Sequence, residues 1–356
     1  MIFYIAFLIL ILGHILQESS SQNNKKLIFI FCSTVLAALA GLRGDVGQDD
    51  ETYKVMFSEV NSIESGVQEP LFNLSVLFLK WLGLESQSLF ILFAVFSAVI
   101  LYIIIEKTAP YLSVLILVVY FSHKFIHNDL NLIRQGLGSL IFIYSVTVYE
   151  KKKALFFLLN LIGASIHLPA ILACGGFFCC EIVISKVMNL RGLIRLIVLS
   201  SFLLICVILG VEFDLNVVDF SMFGFTEKYS TYQVRDDFNA SFNPVFDIVF
   251  IKMVLIVVCF SWFSMKRQID FKIMLMLHSM IFGLAVLIVF QSNTSVAKRI
   301  SSYFFTSEPF VVCWIVNELK AKWSFLSKVA VIALSAIQLV YNVTWLKVVG
   351  SYNICF

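Results

Sequence analysis

Four arginines stand at or near the outer ends of long apolar runs: Arg43, Arg134, Arg235 and Arg299. Most other basic residues gather in short loops, so these four are out of place. So are the carboxylates beside the first of them, in Arg43-Gly44-Asp45-Val46-Gly47-Gln48-Asp49-Asp50-Glu51. Charge kept at the far face of a bilayer points to a site for a charged ligand. A guanidinium offers a permanent charge and a planar fork suited to phosphate oxygens. Asp45 and Asp49 are placed to accept a proton or to hydrogen-bond a sugar hydroxyl, and Gly44 and Gly47 let the backbone turn close to a ligand. The competing account is a glycine turn in which Arg43 pairs with its own neighbouring aspartates.

Asn131-Leu132-Ile133-Arg134-Gln135-Gly136 opens another apolar run from the same side. A cation in a first helical turn opposes the helix dipole, and becomes favourable when an anion such as a diphosphate shares the free N–H groups there. Snorkelling of Arg134 to the interface is the alternative. His123, His127 and Asp129 precede it and read as polar surface on a short outer loop. Lys298 and Arg299 repeat the arrangement before Ile300-Ser301-Ser302-Tyr303-Phe304. Lys228 and Tyr232, in Glu227-Lys228-Tyr229-Ser230-Thr231-Tyr232, put aromatic rings beside a cation, which suits sugar faces and phosphates, although tyrosines also mark membrane interfaces. His167 lies midway through the run 154–184, beside Pro169; the competing account is a core histidine.

The elements holding these residues follow from composition. At 60% apolar and 14% charged residues, the chain departs from the soluble average of about 25% charged. A spanning helix needs roughly 20 apolar residues, and runs near 2–16, 27–42, 88–105, 109–122, 131–149, 194–211, 246–264, 273–290, 303–318 and 327–346 fit that role. Met1 to Leu16 lacks a basic start and a small-x-small site and is expected to remain as the first span. Lys25/Lys26, Lys107, Lys151–Lys153, Lys186/Arg191/Arg195, Lys266/Arg267/Lys272 and Lys320/Lys322/Lys328 share one cytoplasmic side by the positive-inside rule. That assignment makes 154–184 a sunken hairpin with His167 at its apex, and makes 70–83 a re-entrant or interfacial helix. It leaves acidic outer loops at about 43–69 and 212–245. The expected fold is all-α: a polytopic integral membrane protein of about 12 transmembrane helices, in a single domain over 1–356. Seven of the eight cysteines lie in apolar runs as core filler, with Cys355 at the tail, and no metal-ligand set or nucleotide loop is visible.

Taken together, several blocks carry a resemblance. The Arg-x-Asp-x-Gly-x-Asp-x-x-x-Tyr block at 43–53, Glu69-Pro70-Leu71-Phe72, Ile133-Arg134-Gln135, Ser165-x-His167-x-x-Ala170 and Arg299 with Tyr303-Phe304 resemble, in order and spacing from about residue 40 to 310, the EpsG-type branch of the Wzy polysaccharide polymerases. The resemblance implies a GT-C-like glycosyltransferase of the bacterial inner membrane. Such an enzyme transfers a growing glycan from undecaprenyl diphosphate to the next lipid-linked repeat unit at the periplasmic face, in O-antigen, capsule or exopolysaccharide synthesis. Its partners would be those lipid-linked oligosaccharides and the bilayer, with a chain-length regulator and a flippase as further candidates; no cofactor and no nucleic acid is expected. Arg43, Arg134 and Arg299 would hold the diphosphate; Asp45, Asp49 or His167 would serve as base; Gln135, Lys228, Tyr232 and Lys298 would contact the substrate. A ligase differing only in acceptor, and a flippase of the same lipid, are the alternatives.

Overall fold

The structure, a computed structural model, describes residues 1–63, 69–187, 201, 205, 247–264, 270–291, 294–319 and 321–354. Among these it is helical apart from one two-stranded ladder. Helices Ile2–Ser19, Gln22–Gly41, Gln87–Thr108, Pro110–Asp129, Phe271–Val289 and Trp323–Trp345 are long and apolar enough to cross a membrane. Ile133–Val148, Lys153–Ile166 and Ile248–Phe263 are shorter apolar helices. The chain is an integral membrane protein with several spanning helices. Its outer surfaces agree: Leu8, Leu12, Val95, Val99, Leu158, Leu161, Leu334 and Ile337 are exposed apolar side chains, a surface that only lipid would cover without cost.

The chain divides into two compact units, Met1–Ile171 with Val312–Phe356, and Leu172–Val311. The first begins with α1 (Ile2–Ser19) and α2 (Gln22–Gly41), then strand β1 (Arg43–Gly44), α3 (Asp50–Glu59), α4 (Pro70–Trp81) and α5 (Gln87–Thr108). Next come α6 (Ser113–Tyr120), which runs on as a π-helix over Phe121–Asp129, then α7 (Ile133–Val148) and α8 (Lys153–Ile166). α7 is the central element, packed on α5 and α8. Its residues are buried nearly all round, which is what an apolar helix without a polar face requires. Near the C-terminus, Tyr341–Trp345 is π-helical and β2 (Asn353–Ile354) pairs antiparallel with β1, Arg43 opposite Ile354.

The second unit takes up α9 (Ala170–Val187), which starts in the first, and holds α10 (Ile248–Ser264), α11 (Phe271–Val289), α12 (Thr294–Phe305) and the start of α13 (Glu308–Glu318); α14 (Ala321–Val340) returns to the first unit. Phe282 and Phe304 meet edge to face at 4.9 Å, joining α11 to α12. Lys252, embedded in α10, pairs with the buried Glu308 at 2.8 Å.

Three local expectations change. The span read at 303–318 is broken, because α12 ends at Phe305 and α13 begins at Glu308. Pro309 has no N–H to donate back into the preceding turn, and Thr306 bonds its hydroxyl to the Ser302 carbonyl instead. The outer loop read around His123, His127 and Asp129 is instead a continuation of α6, with His123 and Asp129 buried. Internal partners make this burial tolerable: Tyr120 donates to Asp129 Oδ2 at 2.5 Å, and Asn342 donates to the Ser122 carbonyl at 2.8 Å. Finally, the first acidic loop, read at about 43–69, holds β1 and α3. α4, of 12 residues, is too short to span and exposes Leu74, Phe78 and Trp81 along one side, as a re-entrant or interfacial helix would. The run 154–184 is interrupted where the hairpin reading put it: His167 takes an extended conformation between α8 and α9, just before Pro169.

One glycine fixes how the first loop lies on the turn that precedes α7. A Cβ at Gly47 would stand 2.0 Å from the Leu130 carbonyl oxygen and 2.7 Å from Asp50 Oδ1. Neither the backbone oxygen nor a committed carboxylate can retreat. Gly47→Ala is therefore expected to cost about 3 kcal/mol or more, seen as a loss of folded protein in membranes; normal accumulation would show that the loop can lift.

Candidate active site

Arg43 follows α2 directly and is buried. Its Nε donates to Asp50 Oδ1 at 3.1 Å, and its Nη1 donates to the carbonyls of Ala40 at 2.7 Å and Asp129 at 2.9 Å. Asp50 Oδ2 accepts the N–H groups of Val46 and Gly47, both at 2.9 Å. The turn is thus closed around its own ion pair, the arrangement that the sequence leaves open as the competing account. A buried pair is sustainable when most of its hydrogen-bonding groups find partners; here Nη2 has no hydrogen-bond partner among the described residues.

Arg134 occupies the first turn of α7. Its Nη1 donates to Glu69 Oε2 at 2.6 Å, and the two side chains are 13% and 10% exposed. The guanidinium also lies 5.1 Å from the Phe72 ring centroid and 5.8 Å from that of Tyr53. Both rings can hold a cation by their quadrupoles, an attraction that strengthens as water leaves. Burial pushes the Tyr53 phenol above its ordinary range, while the Arg134 charge opposes that. The other oxygen of Glu69 accepts the Leu168 N–H at 3.3 Å, next to the buried His167. Glu69 stands at the N-cap of α4 but its side chain makes no capping bond. It reaches across to α7 and to the break between α8 and α9.

The two arginines are connected through aromatic rings. Arg43 lies 4.4 Å from the Phe90 ring centroid, Phe90 meets Tyr53 edge-on at 6.2 Å, and Tyr53 faces Arg134. The blocks at 43–53, 69–72, 133–135 and 165–170 therefore converge within the first unit.

Gln135 adjoins Arg134 in the first turn of α7, while the other candidates make different contacts. Asp45 is exposed, in the left-handed region at φ 53, and paired with Lys54; that hydrogen bond holds its carboxyl below the usual carboxylate range, which weakens it as a base. Asp49 is the N-cap residue of α3. Gln135 is buried in the first turn of α7. Arg299 is half-buried in α12, where the exposed Lys298 lies 3.3 Å from Asp247; both belong to the second unit. Lys228, Tyr232, Arg235 and the loop 212–245 lie outside the described residues. Among the described residues, no group of three or more His, Cys, Asp or Glu side chains gathers as metal ligands do. The sequence reading passes over Glu69, Tyr53 and Phe72 as site residues. The available signal is Arg134 itself, since a cation in a first turn needs an anion nearby, and Glu69 belongs to a motif block that offers one.

The sequence profile of the EpsG family covers residues 1–354, essentially the whole chain, and the chain belongs to that family. No curated protein and no solved structure matches it.

Proposed function

We propose that this member of the EpsG family is a polysaccharide polymerase. It would move a growing glycan from an undecaprenyl diphosphate carrier onto the next lipid-linked repeat unit, at the periplasmic face of the bacterial inner membrane. The observation that carries this reading is the meeting of Arg134 with Glu69, Tyr53, Phe72 and the His167 turn. Motif blocks far apart in sequence supply one cation, one carboxylate, aromatic walls and a histidine at one place.

Each part answers a need of such a substrate. The diphosphate needs a guanidinium fork at a helix N-terminus, which the first turn of α7 offers through Arg134. The sugar needs aromatic faces and hydrogen-bonding groups, which Tyr53, Gln135 and His167 offer. The polyprenyl tail needs an apolar path at the same level, which the exposed side of α4 offers. In the reaction, the acceptor hydroxyl attacks the anomeric carbon while the bond to the diphosphate breaks. Arg134, with Arg43 Nη2 as a further candidate, would stabilise charge on the departing diphosphate. About 12 spanning helices in a GT-C-like arrangement remain part of this proposal.

The test is direct. The purified protein in proteoliposomes, given the lipid-linked repeat units of its own organism, is expected to produce a ladder of longer glycans on the lipid. Transfer of single units to another acceptor with no ladder would favour the ligase reading, and movement of the lipid across the bilayer without transfer would favour a flippase.

A further inference from the structure

We propose, resting on the polymerase reading, that Glu69 is the anion which the substrate diphosphate displaces from Arg134, and that the carboxylate so released takes the proton from the acceptor hydroxyl. The ion pair between them is short, at 2.6 Å, yet neither side chain is sealed, at 13% and 10% exposed. A diphosphate arriving at the first turn of α7 carries more charge than a carboxylate and fits the same fork. It would therefore compete for Arg134 on favourable terms.

The position of Glu69 suits such an exchange. Its carboxylate is not used to cap α4, so leaving Arg134 does not undo a helix end. It keeps a second anchor, the Leu168 N–H, which would hold it beside the His167 turn after the exchange. Three other carboxylates in or near the first loop are committed elsewhere. Asp50 accepts from Arg43, Val46 and Gly47, Asp129 accepts from Tyr120, and Asp45 is paired with Lys54 on the surface.

The chemistry balances. The acceptor hydroxyl oxygen forms its bond to the anomeric carbon, and the bond from that carbon to the diphosphate oxygen breaks, its electron pair leaving with the diphosphate. The hydroxyl proton goes to Glu69. The proton then passes to the departing diphosphate, and Glu69 returns to Arg134, which helps to expel the spent carrier.

The experiment separates binding from transfer. Glu69→Gln keeps the size of the side chain and removes its charge. Purified Glu69→Gln is expected to bind undecaprenyl diphosphate in detergent at least as tightly as the wild type, because the competing anion is gone. Its single-turnover glycan extension is expected to fall by ~10²- to 10⁴-fold, the range of a general base. Extension at the wild-type rate would overturn the base role. Loss of diphosphate binding would overturn the exchange and leave Glu69 as a brace for Arg134. If Glu69→Gln does not accumulate, Glu69→Asp carries the same test: binding retained and extension slowed support the proposal, while unslowed extension or lost binding overturns it. A wild-type protein that neither binds undecaprenyl diphosphate nor extends glycan would instead overturn the polymerase reading beneath it.

Discussion

Arg134→Lys is expected to reduce glycan extension by ~10²-fold or more, the scale seen when one donor is lost from a site that stabilises developing charge, while leaving the protein in the membrane at normal levels. Lysine keeps the charge, and the ion pair with Glu69 can re-form with an ammonium. What it loses is the planar fork and the stacking over Phe72 and Tyr53, so a bidentate grip on a diphosphate is no longer available. The result to look for is single repeat units in place of long chains, with unchanged protein on immunoblots of membranes. Long chains of normal distribution would reduce Arg134 to a folding role.

The second large effect falls on stability. Arg43→Ala leaves Asp50 buried without its cation and removes the donors to the Ala40 and Asp129 carbonyls. Breaking one partner out of a buried pair costs about 3–5 kcal/mol, a large part of the stability of most domains. Arg43→Ala is therefore expected to deplete folded protein, measured by detergent-solubilised thermal unfolding, whereas Arg134→Lys is not. The double variant Arg43→Ala/Asp50→Ala should not be worse by the sum of the two single losses, because no buried carboxylate remains uncompensated. Equal stability of Arg43→Ala and wild type would contradict the bracing role and return Arg43 to ligand binding alone.

Much of this arrangement can be read from the amino-acid order. The spans at Gln22–Gly41 and Gln87–Thr108 follow from uninterrupted apolar runs. The break at His167 follows from a proline, whose preceding residue avoids helical backbone, between two basic loops. The pairing of Arg43 within its own turn was one of two open accounts, because residues this close in sequence can always meet. The π-helical run Phe121–Asp129 was not legible. Its His, Lys, Asn and Asp residues read as loop, and Asn342, which meets His127, lies far away in the chain. The interruption between α12 and α13 was hidden because apolar residues on both sides outweigh Thr306 and Ser307 in any average. Glu69 was overlooked as a site residue for a related reason. A carboxylate just before a proline is an ordinary helix start, and only the folded chain reveals that its side chain turns away from its own helix toward Arg134.

If Arg134 and its surroundings hold a lipid-linked diphosphate, the purified protein must retain that ligand. Purified protein immobilised in detergent is exposed to radiolabelled undecaprenyl-diphosphate-linked repeat units, and the bound fraction is measured against concentration. Saturable retention is expected for the wild type, displaced by excess unlabelled undecaprenyl diphosphate. Arg134→Gln is expected to lose ~10-fold or more in affinity, as when a charge-assisted bond worth about 1.5–3 kcal/mol is removed. Lys107→Gln, which changes a cation that bonds to Tyr144 outside the converging blocks, should bind as the wild type does. Equal retention by the wild type and Arg134→Gln would contradict the claim.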